Sequence, residues 1–359
     1  MNYKRRLHGV QQAIEQRRLD ALLISHLPNI RYLCGFTGSS GVLIVTSDDR
    51  LLITDGRYTA QAKQEVKGAR FKIEKKSALV AAAEWLKKHP RLKRIGIEGA
   101  HMTVADRSIL SKALGSAAKL VTAPPLVENL RMIKDADEIA HIRAACHLGA
   151  KLFRSITEKL RPGVTEAEVA GELEFAARRA GVEQMSFPTI IAAGERSALP
   201  HGRASNAPVP DWGFVVCDFG VILAGYCSDM TRTVHVGCAL ADAVSAYEAV
   251  RDAQQSALDA VKPGVACGEV DHAARKLLYN RRLAKFFTHS TGHGVGLEIH
   301  EAPRIAAAQQ EVLQPGMVIT IEPGIYLPGK WGIRIEDTVA VTETGCEILT
   351  PCPKELLTL

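Results

Sequence analysis

Two stretches of the chain share one pattern, an apolar run broken by an acid, a turn, and an alternating return. In Asp211 to Val236 (DWGFVVCDFGVILAGYCSDMTRTVHV), GFVVC is apolar and β-branched, VILAGY carries the turn glycine, and CSDMTRTVHV alternates. Period-two alternation around a glycine-bearing turn predicts a β-hairpin. Asp218 closes its first strand and Asp229 sits in its second. In Gly316 to Thr342 (GMVITIEPGIYLPGKWGIRIEDTVAVT), Glu322 ends the first strand and Glu336 lies in the second. Acids in apolar surroundings are rare unless they are paired or bind a metal. Two similar hairpins thus offer four carboxylates to one pocket wall.

Upstream, the pattern alternates between short apolar runs and helical spacing. Tyr3 to Arg18 reads as an amphipathic helix, ALLIS (Ala21 to Ser25) as a buried strand, and Ile30 to Cys34 as the start of a short element. VLIVT and LLIT flank the turn SDD as strands, and Ala60 to Val66 continues as helix. Phe71 to Glu74 and Ile95 to Glu98 read as strands, Leu79 to Lys88 and Val104 to Leu114 as helices. This alternation predicts an α/β domain over residues 1–125 with a mixed or parallel sheet. Ala123-Pro124-Pro125 and the following LVENLRMIKD mark a connection at about residues 124–134, because two prolines oppose regular helix.

From Asp135 to Leu160 the apolar positions keep helical spacing, with Asp135 and Glu138 placed as a capping box. Pro162-Gly163 ends that helix, and Thr165 with Glu168 opens another to about Ala180. The same grammar returns later: LRPGVTEAEVAGEL (Leu160 to Leu173) resembles VKPGVACGEVDHAA (Val261 to Ala274). Each copy precedes a hairpin bearing two acids. The second domain, residues 134–359, therefore reads as an internal two-fold repeat of two helices and a hairpin. Its two hairpins should join in an antiparallel sheet backed by helices, with the acids near the pseudo-axis.

Composition narrows the class. Across 359 residues, 47% hydrophobic and 23% charged content is that of a globular protein long enough for two domains. The net charge of +6 comes from interspersed basic and acidic residues, which argues against a nucleic-acid partner. The eight cysteines show no CxxC and read as small buried hydrophobes in a reducing compartment. No apolar run approaches the ~18 residues of a membrane span, and no signal-peptide core follows the basic start. A cytoplasmic location and no membrane partner are expected.

The fifth chemical group is a histidine. His293 lies between Gly292 and Gly294 in HSTGHGVGLEIHEAP, where the backbone can bend closely around a site. Four carboxylates and one imidazole suit two divalent cations, whose charge the acids balance. An oxygen-rich, thiolate-free set favours Mn²⁺, with Co²⁺, Fe²⁺ or Zn²⁺ as alternatives. Two such ions about 3.5–4 Å apart hold a hydroxide at neutral pH and polarise a carbonyl, which is hydrolytic chemistry. Arg334 stands two residues before Glu336, on the same strand face, where a guanidinium can pair with a ligating carboxylate. Thr231 shares the face of Asp229 in the same way. The glycines from Gly292 to Gly296 do not lead from a strand into a helix, so a nucleotide loop is discounted.

The motifs DFG, SDMTRT, GHGVGLEIHE, IEPG and RIED resemble those of the pita-bread (creatinase/methionine aminopeptidase) metallopeptidase family. TGSSG and TDGRY look like its creatinase-type N-terminal domain, so the resemblance covers the whole chain. It implies that Asp218 binds one metal, that Asp229 and Glu336 bridge both, and that His293 and Glu322 bind the other. It also implies that Glu322 moves a proton from the bridging hydroxide to the leaving proline nitrogen. His300 would stabilise the oxyanion, and His201 would contact the substrate backbone. The leading expectation is an Xaa-Pro aminopeptidase, releasing the residue before proline from a peptide. The alternative is an Xaa-Pro dipeptidase with the same site, and a non-catalytic binding protein is a remote third. A homodimer is a further expectation of the resemblance. Arg57 and Tyr58 are candidates for a contact in the dimer or at the substrate's amino end. The other histidines, His289 among them, read as structural.

Overall fold

The amphipathic start of the chain forms the helix Tyr3–Gln16, and Leu7, Val10 and Ile14 on its apolar stripe are buried. The computed structural model describes residues 1–359, which divide into two units, Met1–Arg131 and Met132–Leu359. No helix is long and apolar enough to cross a membrane.

The first unit is built on a six-stranded sheet. Its order across the sheet is Arg70–Glu74, Arg50–Asp55, Val42–Thr46, Ala21–Ile24, Arg94–Glu98, Lys119–Ala123. The two central strands are buried along their whole length, as their unbroken apolar runs require. Three pairings are parallel and two antiparallel, so the sheet is mixed. The helices Ala78–Lys87 and Val104–Leu114 pack on it through Ala82, Leu86 and Leu110.

The stretch after Pro124-Pro125 departs from expectation. Leu126–Met132 is a helix, not an irregular connection. A proline at a helix start gives up only an N–H that has no helical partner there, and its carbonyl still accepts. Asn129 N–H indeed donates to Pro125 O at 3.0 Å.

The second unit contains the two repeats. Ala136–Thr157 and Glu166–Arg179 open the first, with complete capping boxes at Asp135/Glu138 and Thr165/Glu168. Ala241–Ala260 and Cys267–Asn280 open the second. The turn between the helices is tied down identically in each. Gly163 N–H donates to Val209 O and Gly264 N–H to Leu313 O, both at 2.9 Å. The first copy closes on a core including Val169, Leu173, Val215 and Phe219, the second on one including Val250, Val270, Ile319 and Val339.

Three of the four acids sit where the hairpins bend, and Asp218 lies inside its strand. The first runs as Gly213–Phe219, Val221–Leu223, Tyr226–Cys227 and Met230–Val236, with Asp229 in the second break. The second runs as Val318–Ile321, Gly324–Leu327, Trp331–Arg334 and Asp337–Val341, with Glu322 and Glu336 in its breaks. The hairpins meet through an antiparallel bridge between Thr231 and Glu336, where Glu336 N–H donates to Thr231 O at 3.1 Å. The hairpins therefore lie mainly in two antiparallel sheets, of three and five strands, linked at this bridge and not in the one sheet expected, because the bends interrupt the pairing; the acids sit at the seam.

Candidate metal centre and active site

A cavity of about 560 Å³ opens in the second unit, and Asp218, Asp229, Glu322 and Glu336 all line it. Asp218 reaches it from within the strand Gly213–Phe219; the other three reach it from the bends. His293 stands on the short strand Gly292–Gly294. The two glycines are required there by crowding: a Cβ on Gly292 would lie 1.9 Å from Thr320 O, and one on Gly294 2.2 Å from Ala302 O. The imidazole is thereby pressed against the acids. Its Nε2 is 3.5 Å from both Asp229 Oδ2 and Glu322 Oε1.

Hydrogen bonds fix which atoms point inward. His293 Nδ1 lies 3.0 Å from Gly294 O, which only accepts, so Nδ1 carries the proton and the neutral ring turns its Nε2 lone pair toward carboxylate oxygens. Thr231 Oγ1 donates to Glu336 Oε2 at 2.6 Å. Arg334 donates to Asp218 Oδ2, to Thr231 Oγ1 and to the Tyr326 hydroxyl. Asp218 Oδ1 and Glu336 Oε1 are left buried without a hydrogen-bond partner. An unpaired buried carboxylate oxygen is costly.

The electrostatics point the same way. Two unit charges about 4 Å apart repel by about 4 kcal/mol at the effective dielectric of a protein surface. Burial, then repulsion from Glu336, Asp218 and Glu322, raises the Asp229 carboxyl well above its usual range. Burial first, with repulsion from Glu322 and Asp218, does the same to Glu336. Glu322 is pushed up to about 7, chiefly by burial. Burial lowers His293 and, with its histidine neighbours, His300. Acceptors facing acceptors, with two orphaned oxygens, form a cage that a cation satisfies. Asp229, His293 and Glu336 each turn a ligand atom to within 4.8 Å of the others, so the donor set fits divalent ions.

The remaining residues singled out in the sequence also come here. His201, His300 and Arg334 line the cavity, and the His300 and His293 rings stand edge-on at 4.4 Å. Several lining residues had no sequence signal. His289, read as structural, lines the cavity; its Nε2 lies 2.9 Å from the Tyr326 hydroxyl, and burial lowers its pKa to about 4. Arg203 and Arg304 add positive charge at the rim, and Phe187, Pro188 and Ile190 form an apolar flank. Arg57 and Tyr58 belong to the first unit, where Arg57 pairs with Asp55 at 2.9 Å and Tyr58 hydrogen-bonds Ser39.

Residues 140–343 match metallopeptidase family M24, and residues 6–133 match the creatinase/prolidase N-terminal domain. The chain belongs to metallopeptidase family M24 and is a metal-dependent enzyme with the pita-bread catalytic fold. Membership implies divalent metal ions. A Xaa-Pro dipeptidase from Pyrococcus furiosus is 38% identical over 99% of this chain and 100% of its own length. The structure of a Xaa-Pro dipeptidase from Bacillus anthracis is 37% identical, covers 100% of both chains and superposes with a TM-score of 0.96. An X-Pro aminopeptidase from Thermotoga maritima, also 37% identical, covers 96% of this chain and 99% of its own, with a TM-score of 0.88. The two dipeptidase relatives favour the dipeptidase alternative over the leading aminopeptidase expectation. TGSSG and TDGRY cannot separate the two, because they lie within the matched creatinase/prolidase N-terminal domain.

Proposed function

We propose that this enzyme hydrolyses dipeptides with proline in second place, releasing a free amino acid and proline. The observation that carries this reading is the charge at the cavity rim. A dipeptide differs from a longer peptide in presenting a free carboxylate on its proline. Arg334 is engaged by Asp218 and Tyr326, whereas Arg203 and Arg304 form no ion pair with the protein's own acids. A guanidinium at the rim suits a carboxylate through two parallel hydrogen bonds. The apolar flank of Phe187, Pro188 and Ile190 suits the pyrrolidine ring.

In this reading Asp218, Asp229, His293, Glu322 and Glu336 hold two divalent ions, with Mn²⁺ the first choice. Bound there, such ions supply Lewis-acid charge and acidify water. The protein's own groups do the rest. Arg334 and Thr231 keep Asp218 and Glu336 oriented. Water oxygen adds to the scissile carbonyl carbon as Glu322 takes its proton. The carbon–nitrogen bond then breaks, and Glu322 delivers the proton to the departing proline nitrogen. His300 and His201 stabilise the negative charge on the former carbonyl oxygen and the adjoining substrate backbone. A homodimer in the cytoplasm completes the proposal.

Hydrolysis of Gly-Pro is compared with that of Gly-Pro-Pro, with Mn²⁺ and after EDTA. The dipeptide should be cleaved, the tripeptide spared and the activity abolished by chelation. Cleavage of the tripeptide by release of glycine would favour an aminopeptidase, the reading that the Thermotoga maritima similarity supports. Arg304→Ala should raise KM for Gly-Pro about 10-fold or more, the loss expected of a charged hydrogen bond.

A further inference from the structure

His201 is exposed at the cavity, and no side-chain hydrogen bond holds its ring. Its placement therefore depends on the backbone at either side. On one side, Arg334 Nη1 donates to Pro200 O at 3.3 Å. On the other, Arg196 Nη2 donates to Arg203 O at 2.8 Å. Arg196 is in turn gripped by Glu166, a wholly buried acid in the first turn of Glu166–Arg179. Glu166 accepts from Arg196 Nε at 2.9 Å, Ala193 N–H at 2.8 Å, Ser205 N–H at 3.0 Å and Ser205 Oγ at 2.7 Å. One carboxylate thus fastens both ends of the 193–205 loop. The middle is fastened too, where Gly332 N–H donates to Ser197 Oγ at 2.8 Å.

The repeat shows that the turn itself does not need this acid. The matching position in the second copy is Cys267, which is buried and uncharged. Its backbone makes the same contacts: Cys267 N–H donates to Glu311 O at 2.8 Å, as Glu166 N–H donates to Ala207 O at 3.0 Å. Gly268 N–H reaches Gln309 O at 3.0 Å, as Ala167 N–H reaches Ser205 O at 2.9 Å. A buried charge where a neutral side chain suffices for the fold serves something found in only one copy. That something is the loop bearing His201 and Arg203.

We propose that Glu166 and Arg196 are positioning residues for the reaction: they hold the 193–205 loop so that His201 meets the substrate. This rests on the reading that His201 acts on the substrate. Misplacing a catalytic group by about 1 Å costs up to about 100-fold, so a loosened loop should lose rate without losing metal.

The test uses the full-length, Mn²⁺-loaded enzyme and Gly-Pro. Arg196→Met is the first variant, its side chain being 33% exposed. Glu166→Gln/Arg196→Met is the second, since it leaves no unpaired buried charge. Each is made with His201 present and with His201→Ala. Amide hydrogen exchange in the 193–205 loop and bound metal are read alongside. With His201 present, kcat should fall about 10-fold and KM change less, metal content should hold, and loop exchange should rise. On the His201→Ala background the further loss should be under about 2-fold, the non-additivity of groups acting as one unit. Arg196→Lys, which keeps the charge near Glu166, should recover part of the rate. Equal losses on both backgrounds, unchanged kcat or unchanged loop exchange would each overturn the clamp. If His201→Ala alone has no effect, the reading of His201 falls and the clamp's catalytic role falls with it; unchanged exchange condemns the clamp alone.

Discussion

The two halves of the catalytic unit share a backbone plan and divide the chemistry unequally. Both present two acids from a bent hairpin, and both tie the helix–helix turn to a later segment by the same pair of hydrogen bonds. They differ in what stands beside the hairpin. In the first half it is Ile190–Ala193, entirely apolar, with Ile190 paired to Asp218 and lining the cavity. In the second it is Gly292–Gly294, which carries His293. One side of the pseudo-axis supplies an apolar wall and the other an imidazole, a ligand in the proposed metal site. The clamps differ as well. Glu166 grips an arginine on the loop, whereas Asp271 grips Arg275 on its own helix, and Arg275 then holds Phe287 O and His289 O. A duplicated scaffold fixes where acids converge, and single substitutions near them decide what each half contributes.

The largest break in that comparison removes an acid at the seam. Asp229→Ala from the first half and Glu336→Ala from the second should each lower kcat/KM about 1,000-fold or more, a loss of about 4 kcal/mol in transition-state binding. Metal analysis should show depleted ions in both. Retention of full activity by either would break the equivalence of the halves.

Arg334→Met comes next. Arg334 belongs to the second half and orients Asp218 of the first. Orienting groups around a metal contribute about 10–100-fold, and activity with added Mn²⁺ should fall in that range. Asp271→Asn should cost about 10-fold in kcat, the lower end of that span. It weakens the grip on Arg275 and on Thr291, whose carbonyl accepts from Glu322 N–H.

The smallest effects are in stability and have opposite signs. Thr165 caps its helix through its side chain, but Ala266, with nearly the same backbone angles and Glu269 three residues on, has no side chain to do so. Thr165→Ala should lower the Tm by about 2–4 °C and Ala266→Thr should raise it by a similar or smaller amount. Thermal melts read both, with activity unchanged in each.

Much of this was legible from local pattern. The acid-bearing hairpins and both capping boxes follow from local spacing, and the repeat from a motif at Leu160 to Leu173 that returns at Val261 to Ala274. What was not legible depends on partners far apart in sequence. His289 looks like any loop histidine until Tyr326, itself held by Arg334, folds against it. Glu166 reads as a first-turn helix acid, and only the returning loop shows that it is buried and shared among four donors. The strand Lys119–Ala123 gave no signal because it is short and half-exposed at a sheet edge. The helix Leu126–Met132 was hidden by prolines that mark its start, not its absence.

The seam between Thr231 and Glu336 joins residues separated by 105 positions. A contact between such distant positions exists only in the folded chain, so a ligand that binds across it favours that state by mass action, by about 4.1 kcal/mol at a thousand times its Kd. On the proposed ligand set, cations gripping Asp229 from one half and Glu336 from the other are removable rivets across that span. Metal supply then governs resistance to heat and proteolysis as well as turnover. The enzyme is hardest to degrade when it is loaded and ready to work.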